Sequence, residues 1–181
     1  YLHPLPLALS WAVQTIGWLL VVDTWRRILR RTGGDAPLRR HLQLYAYTSL
    51  ARALPGRWWA PVSRVAFYRR LGVPGLAVGA ATVVEWLLLG LAGLALYAAA
   101  VPFARSLPPE GGALLGPAGL AALGILHPRA FARVLALAGR RLGYDGAPPR
   151  LTASELAGWF ARELVVLALS GVGLFLLMLA I

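Results

Sequence analysis

The apolar positions of this chain fall into long runs separated by clusters of arginine. A helix needs about 20 apolar residues to cross the hydrocarbon of a bilayer. Leu5 to Val22 meets that length with Trp11 and Trp18 inside it, and Asp23, Trp25 and Arg26 close it, so a span is predicted over about 5–24. Leu71 to Val101 is the longest run, interrupted only by Glu85. Gly111 to His127 is shorter and contains Pro117, which makes it a weaker third span. Leu164 to Ile181 is the fourth. The fold class expected is all-α: a polytopic helical membrane protein of about four spans, forming a single membrane domain.

The stretch between the first two spans has a different pattern. His41 to Leu54 is helical in spacing, with Leu44, Tyr47, Leu50, Ala51 and Leu54 on one face, and too short to cross. Pro55 and Gly56 then break it, because proline lacks an amide donor and glycine permits the turn. Trp58 to Arg70 reads as a second short amphipathic helix. The pair, over about 41–70, is either a re-entrant hairpin or two interfacial helices anchored by Trp58, Trp59 and Tyr68, and both readings stand open. A further amphipathic helix is predicted over about 128–142, setting Phe131, Val134, Leu135 and Ala138 against Arg129, Arg133 and Arg140. It is expected on the membrane surface, drawn to anionic headgroups.

Arginine placement orients the spans. Arg26, Arg27, Arg30, Arg31, Arg39 and Arg40 follow the first span, Arg69 and Arg70 precede the second, and Arg129, Arg133, Arg140 and Arg141 follow the third. The loop between the second and third spans holds only Arg105 beside Glu110. The positive-inside rule puts the three clusters on the cytoplasmic side and Arg105 opposite. A multi-pass protein of the cell membrane, bacterial or archaeal, is the expected setting.

Composition narrows the class. Hydrophobic residues make up 59% of the 181 and charged residues 14%, where a soluble domain carries about a quarter charged. Too little polar surface is left to cover a water-soluble globule, and disorder is excluded by the same hydrophobicity. With no cysteine, a disulfide framework and a thiolate metal site are excluded. The formal charge is +11, and every basic residue is arginine, a usage in keeping with a GC-rich genome. Because the arginines sit at the ends of apolar runs, they read as topology signals rather than as a nucleic-acid surface. Tyrosine stands at position 1 and the last apolar run stops without a flanking anchor, so a longer parent sequence is expected.

Candidate chemistry is sparse. Glu85 stands first, since a carboxylate within a span is expensive unless paired. Its expected partner is Arg64, with Arg52 second. The plainer reading of such a pair is structural: it fixes the hairpin against the span. His3, His41 and His127 have no metal-ligand spacing, so no metal is predicted, and no nucleotide-binding, hydrolase or metalloprotease motif occurs. No catalytic residue and no cofactor are expected.

The segment from Tyr47 to Glu85 resembles the flippase-like membrane family defined by the transmembrane region of lysylphosphatidylglycerol synthases. It carries Ser49 in a short helix, the turn Leu54-Pro55-Gly56, Arg64, the pair Gly72-Val73, and Glu85 in the next span. His127-Pro128-Arg129 and the run from Arg140 to Gly143 fit more loosely. The aminoacyl-transfer domain of those synthases is absent, so the resemblance implies a lipid-handling scaffold and no synthase activity. The expectation is a lipid-binding or lipid-translocating protein acting on a phosphate-bearing, anionic membrane lipid. Arg52, Arg57 and Arg64 would face the phosphate and Glu85 would orient an arginine. The alternative is a non-catalytic accessory subunit packed among other subunits of a larger membrane complex.

Overall fold

The structure, a computed structural model, describes residues 3–50, 59–100, 124–125, 127–141 and 151–181. Among them there is no strand. Six helices are named here: α1 (Pro4–Arg31), α2 (Leu38–Leu50), α3 (Trp59–Arg70), α4 (Gly75–Ala100), α5 (Pro128–Arg141) and α6 (Ala153–Ala180).

Three of them, α1, α4 and α6, are long and apolar enough to cross a membrane. At 1.5 Å per residue they measure about 42, 39 and 42 Å, against a hydrocarbon core of about 30 Å. Most of each apolar window is left exposed by the rest of the protein. Trp11 is 73% exposed on α1 and Met178 68% on α6. Continuous apolar surface of this extent would aggregate in water. The protein is therefore a helical membrane protein with three candidate spans.

The expected third span, 111–127, lies almost wholly outside the described residues, as does the Pro55-Gly56 turn. The last helix begins at Ala153, well before Leu164, and its start has a local cause. Thr152 caps it with extended backbone, accepting from the Glu155 amide while the Glu155 carboxylate accepts from the Thr152 amide.

The chain forms two compact units. The first comprises residues 1–21, 88–130 and 152–181. Within it the start of α1 runs antiparallel to the end of α6: the His3 amide donates to the Ala180 carbonyl at 2.9 Å and the Ser10 hydroxyl to the Gly173 carbonyl at 2.7 Å. Close approach depends on small residues here, since a Cβ on Gly173 would stand 2.9 Å from the Gln14 side chain.

The second unit comprises residues 22–87 and 131–151 and carries α2, α3, and the adjoining parts of α1 and α4. Two helices in it end in the same way. After α1, the Gly34 amide bonds to the Leu29 carbonyl and the Gly33 amide to Arg30; after α3, Val73 bonds to Tyr68 and Gly72 to Arg69. Gly33 and Gly72 have φ of +94° and +80°, the left-handed conformation this helix stop requires. Between the two stops, a Cβ on Gly34 would fall 2.7 Å from Val73 Cγ1, so the backbone passes Val73 with no room to spare. The Thr32 hydroxyl lies 2.9 Å from the Ala77 carbonyl, tying the end of α1 to the start of α4.

Short helices α2 and α3 pack on each other, and α2 corrects the sequence reading of its faces. The residues it buries are His41, Leu44, Tyr45 and Thr48, while Tyr47 and Leu50 point outward, Leu50 being 71% exposed. The reason is the solvent: where the surroundings are apolar, the polar and aromatic stripe finds its partners inside. On α5, Phe131 and Leu135 are buried and Arg133 and Arg140 exposed, an ordinary amphipathic division.

Candidate functional site

Four helices of the second unit bring polar and aromatic side chains to one buried cluster. Glu85, on α4, lies in a candidate span and is 5% exposed; Arg64, on α3, is 3% exposed. Arg64 Nη1 donates to Glu85 Oε2 at 2.6 Å. The other carboxylate oxygen, Oε1, accepts from the Tyr45 hydroxyl on α2 at 2.9 Å. Both oxygens of the buried acid are thus engaged, which is the condition for keeping a charge away from water.

Aromatic rings complete the surroundings of the guanidinium. Arg64 Cζ lies 4.1 Å from the centroid of the Trp25 ring and 4.5 Å from that of Tyr45. Desolvated contacts of this kind contribute about 2 kcal/mol each. Trp25 in turn donates its Nε1 proton to the Tyr68 hydroxyl at 2.9 Å, and that hydroxyl lies 2.6 Å from His41 Nδ1. With its oxygen already accepting from Trp25, Tyr68 has its own proton to place, and His41 Nδ1 is the acceptor in reach. In that arrangement the neutral imidazole carries its proton on Nε2, which is buried and has no hydrogen-bond partner among the described residues. Burial holds His41 below its ordinary 6.5, and the Arg26 charge pushes the same way. Burial likewise pushes the Tyr68 phenol up to about 12, so neither group is charged at neutral pH.

The helical spacing explains the assembly. His41, Tyr45 and Thr48 occupy positions i, i+4 and i+7 of α2, and Arg64 and Tyr68 occupy i and i+4 of α3. Each set lies on one face. Two short helices therefore present matching polar-aromatic stripes, and Trp25 and Glu85 close the cluster from the longer helices. A charge network of this form sets geometry.

Of the residues marked from sequence, the structure brings Arg64 and Glu85 into contact. Ser49 sits on α2 near its end, half-buried, with Oγ buried and without a hydrogen-bond partner among the described residues. Arg52, Pro55, Gly56 and Arg57 lie outside the described residues. Sequence reading misses Trp25, His41, Tyr45 and Tyr68 as members of the cluster, placing Trp25 at the close of the first span and Tyr68 among the interface anchors of one of its two hairpin readings. The i, i+4 repetition of hydroxyl-bearing and imidazole rings was the available signal. Among the described residues no group of three or more His, Asp or Glu is placed to hold a metal ion.

At the surface of the same unit lies a different polar feature. An open groove of about 400 Å³ is lined by Arg26 and Arg30 of α1 and by Asp35, Ala36 and Pro37 of the loop that follows. Arg30 Nε donates to Asp35 Oδ1 at 3.0 Å, and the Ala36 amide donates to the same oxygen.

Fold and site together define a helical membrane protein with a buried arginine–glutamate clamp joining two short helices to a candidate span. No family model, curated protein or solved structure matches the chain.

Proposed function

We propose that this is a lipid-binding integral membrane protein of the cell membrane, flippase-like in the sense of the resemblance in Tyr47–Glu85, acting on a phosphate-bearing lipid. The observation that supports this reading is the Arg64–Glu85 pair. It attaches a pair of non-spanning helices to a candidate span through the residues that carry the resemblance. Such an element, too short to cross yet fixed to a span, is suited to hold polar groups at headgroup depth. In this reading Arg64 and Glu85 hold the geometry, and Arg52 and Arg57 remain candidates to meet phosphate. Anionic lipids are the proposed partners.

The second reading, a non-catalytic accessory subunit, is favoured by one observation: Arg64 and Glu85 are enclosed and paired with each other, as a scaffold requires. Lipid retention separates the two. Purified wild type, Arg64→Lys and Glu85→Gln are compared by mass spectrometry of co-purified lipid and by thermal stability in detergent. Arg64→Lys keeps the charge but loses the fork that reaches partners at fixed angles. The lipid reading expects wild type to carry phospholipid and both variants to carry less. Wild-type lipid content in both variants, with stability alone reduced, would make the accessory reading the better one.

A further inference from the structure

We propose that α2 and α3 form a hairpin that inserts end-first into one leaflet, with Tyr47, Leu50, Trp59 and Val62 among the acyl chains and an arginine-bearing root at anionic headgroups. This lipid-facing surface follows from the membrane class alone and does not rest on the lipid-binding reading above.

The pairing of the two helices fixes their direction. His41 Nδ1 lies 2.6 Å from the Tyr68 hydroxyl, and Arg64 Cζ lies 4.5 Å from the centroid of the Tyr45 ring. Moving forward along α2 from 41 to 45 thus moves backward along α3 from 68 to 64, so the two run antiparallel. Their shared root is where the chain leaves α1 and enters α4. There Gly34 passes Val73, and the Thr32 hydroxyl meets the Ala77 carbonyl. Leu50, ending α2, and Trp59, opening α3, stand at the far end.

Exposed side chains are sorted along this axis. Arg39 and Arg40 begin α2 and Arg69 and Arg70 close α3, all four exposed and all at the root. Toward the far end, Tyr47, Leu50, Trp59 and Val62 are each more than half exposed. On α3 the exposed residues Trp59, Val62, Ala66 and Arg69 keep the spacing of one helical face, which grades from ring to cation. Neither helix contains an Asp or Glu to offset its arginines. A helix lying flat on a membrane separates apolar from charged residues around its axis. Here the separation runs along the axis, which suits insertion by one end.

Depth has the matching sense and size. Tyr45 and Arg64, midway along the hairpin, both bond Glu85. Glu85 stands about 15 Å along α4 from Gly75. From its root the hairpin therefore runs inward beside a candidate span rather than out into water. The 13 residues of α2 extend about 20 Å, and one leaflet's share of the hydrocarbon is about 15 Å. With the far end among acyl chains, the arginines reach headgroup level, where anionic lipid complements clustered cations.

The test exploits the absence of cysteine. Single cysteines replace Arg39, Tyr47, Leu50 and Val62 in the full chain and carry a nitroxide. Collision with oxygen, which enters lipid, and with a nickel chelate, which stays in water, is measured by spin resonance in vesicles of phosphatidylcholine and phosphatidylglycerol. Labels at 47, 50 and 62 are expected to meet oxygen and exclude nickel, while the label at 39 meets nickel. Replacing Arg39, Arg40, Arg69 and Arg70 by Gln should shift the label at 50 toward nickel, and so should vesicles of phosphatidylcholine alone. The second arm needs no further substitution and decides if the multiple variant does not fold. Nickel access at 50 equal to that at 39 would overturn the insertion. Equal preference for oxygen at 39 and 50 would mean helices lying flat and would overturn it too. Exclusion of both reagents at 47, 50 and 62 would mean that protein covers the surface, against the proposal. A label at 50 that does not move in phosphatidylcholine alone would overturn the role of anionic headgroups.

Discussion

Glu85 illustrates how one residue organises its neighbours. A carboxylate in a span must be neutralised, and here an arginine, a tyrosine hydroxyl and two aromatic rings converge on the task. Removing one partner of a buried pair costs about 3–5 kcal/mol, so Glu85→Gln is expected to lose stability on that scale while leaving Arg64 uncompensated. His41 makes a pH prediction at the same scale. Its folded pKa is depressed by burial, with Arg26 adding to the effect, so the folded state holds the neutral ring. Above the ordinary value of 6.5 this contributes in full. As pH falls below 6.5 the unfolded chain takes up a proton that the folded one refuses, and stability is lost at up to about 1.4 kcal/mol per pH unit. Chemical denaturation of wild type and His41→Phe in detergent between pH 7.5 and 5.5 checks this: wild type should weaken across the range and the variant should not. Parallel slopes would mean that another group carries the dependence.

Among elements, the helix stops show how local chemistry becomes tertiary placement. Glycines at 33 and 72 terminate α1 and α3 with the same pair of backbone bonds, and the residue after each is drawn into the unit's interior. Gly34 follows the first stop, and its missing Cβ is what lets the chain pass Val73 and Leu29. Gly34→Ala would place a carbon 2.7 Å from a β-branched side chain with little freedom to turn away. A loss of about 1–3 kcal/mol is expected, read as a lower midpoint in detergent unfolding. The same substitution at Gly79, where a Cβ meets nothing within 4 Å, should be tolerated and serves as the control.

For the whole molecule, the surface argues for a bilayer. Large apolar side chains stay outward along α1, α4 and α6, while the polar cluster is inside. The arginine clusters give this arrangement a direction that can be tested in a cysteine-free chain. Single cysteines at Arg39 and Arg133 should be protected from an impermeant reagent added outside intact cells, and one at Arg105 should be labelled. Equal labelling at 39 and 105 would reject the orientation.

The sequence by itself determined a good deal: helical class, membrane setting, and the need for a partner at Glu85. Each follows from a quantity additive along the chain, namely run length, hydropathy, or the cost of one buried charge. Arg64 was legible as that partner because few cations lie near enough in sequence on a helix that cannot span. The company of Trp25, His41, Tyr45 and Tyr68 was not legible, because it depends on how α2 and α3 are rotated about their own axes. An apolar stripe fixes that rotation in a soluble protein, but where the surroundings are themselves apolar the stripe loses its bearing. Hence α2 turned Tyr47 and Leu50 outward against the expectation from its pattern. Tertiary structure alone decided which arginines are spent on acids, since ion pairing depends on three-dimensional distance and arginine clusters in sequence look alike.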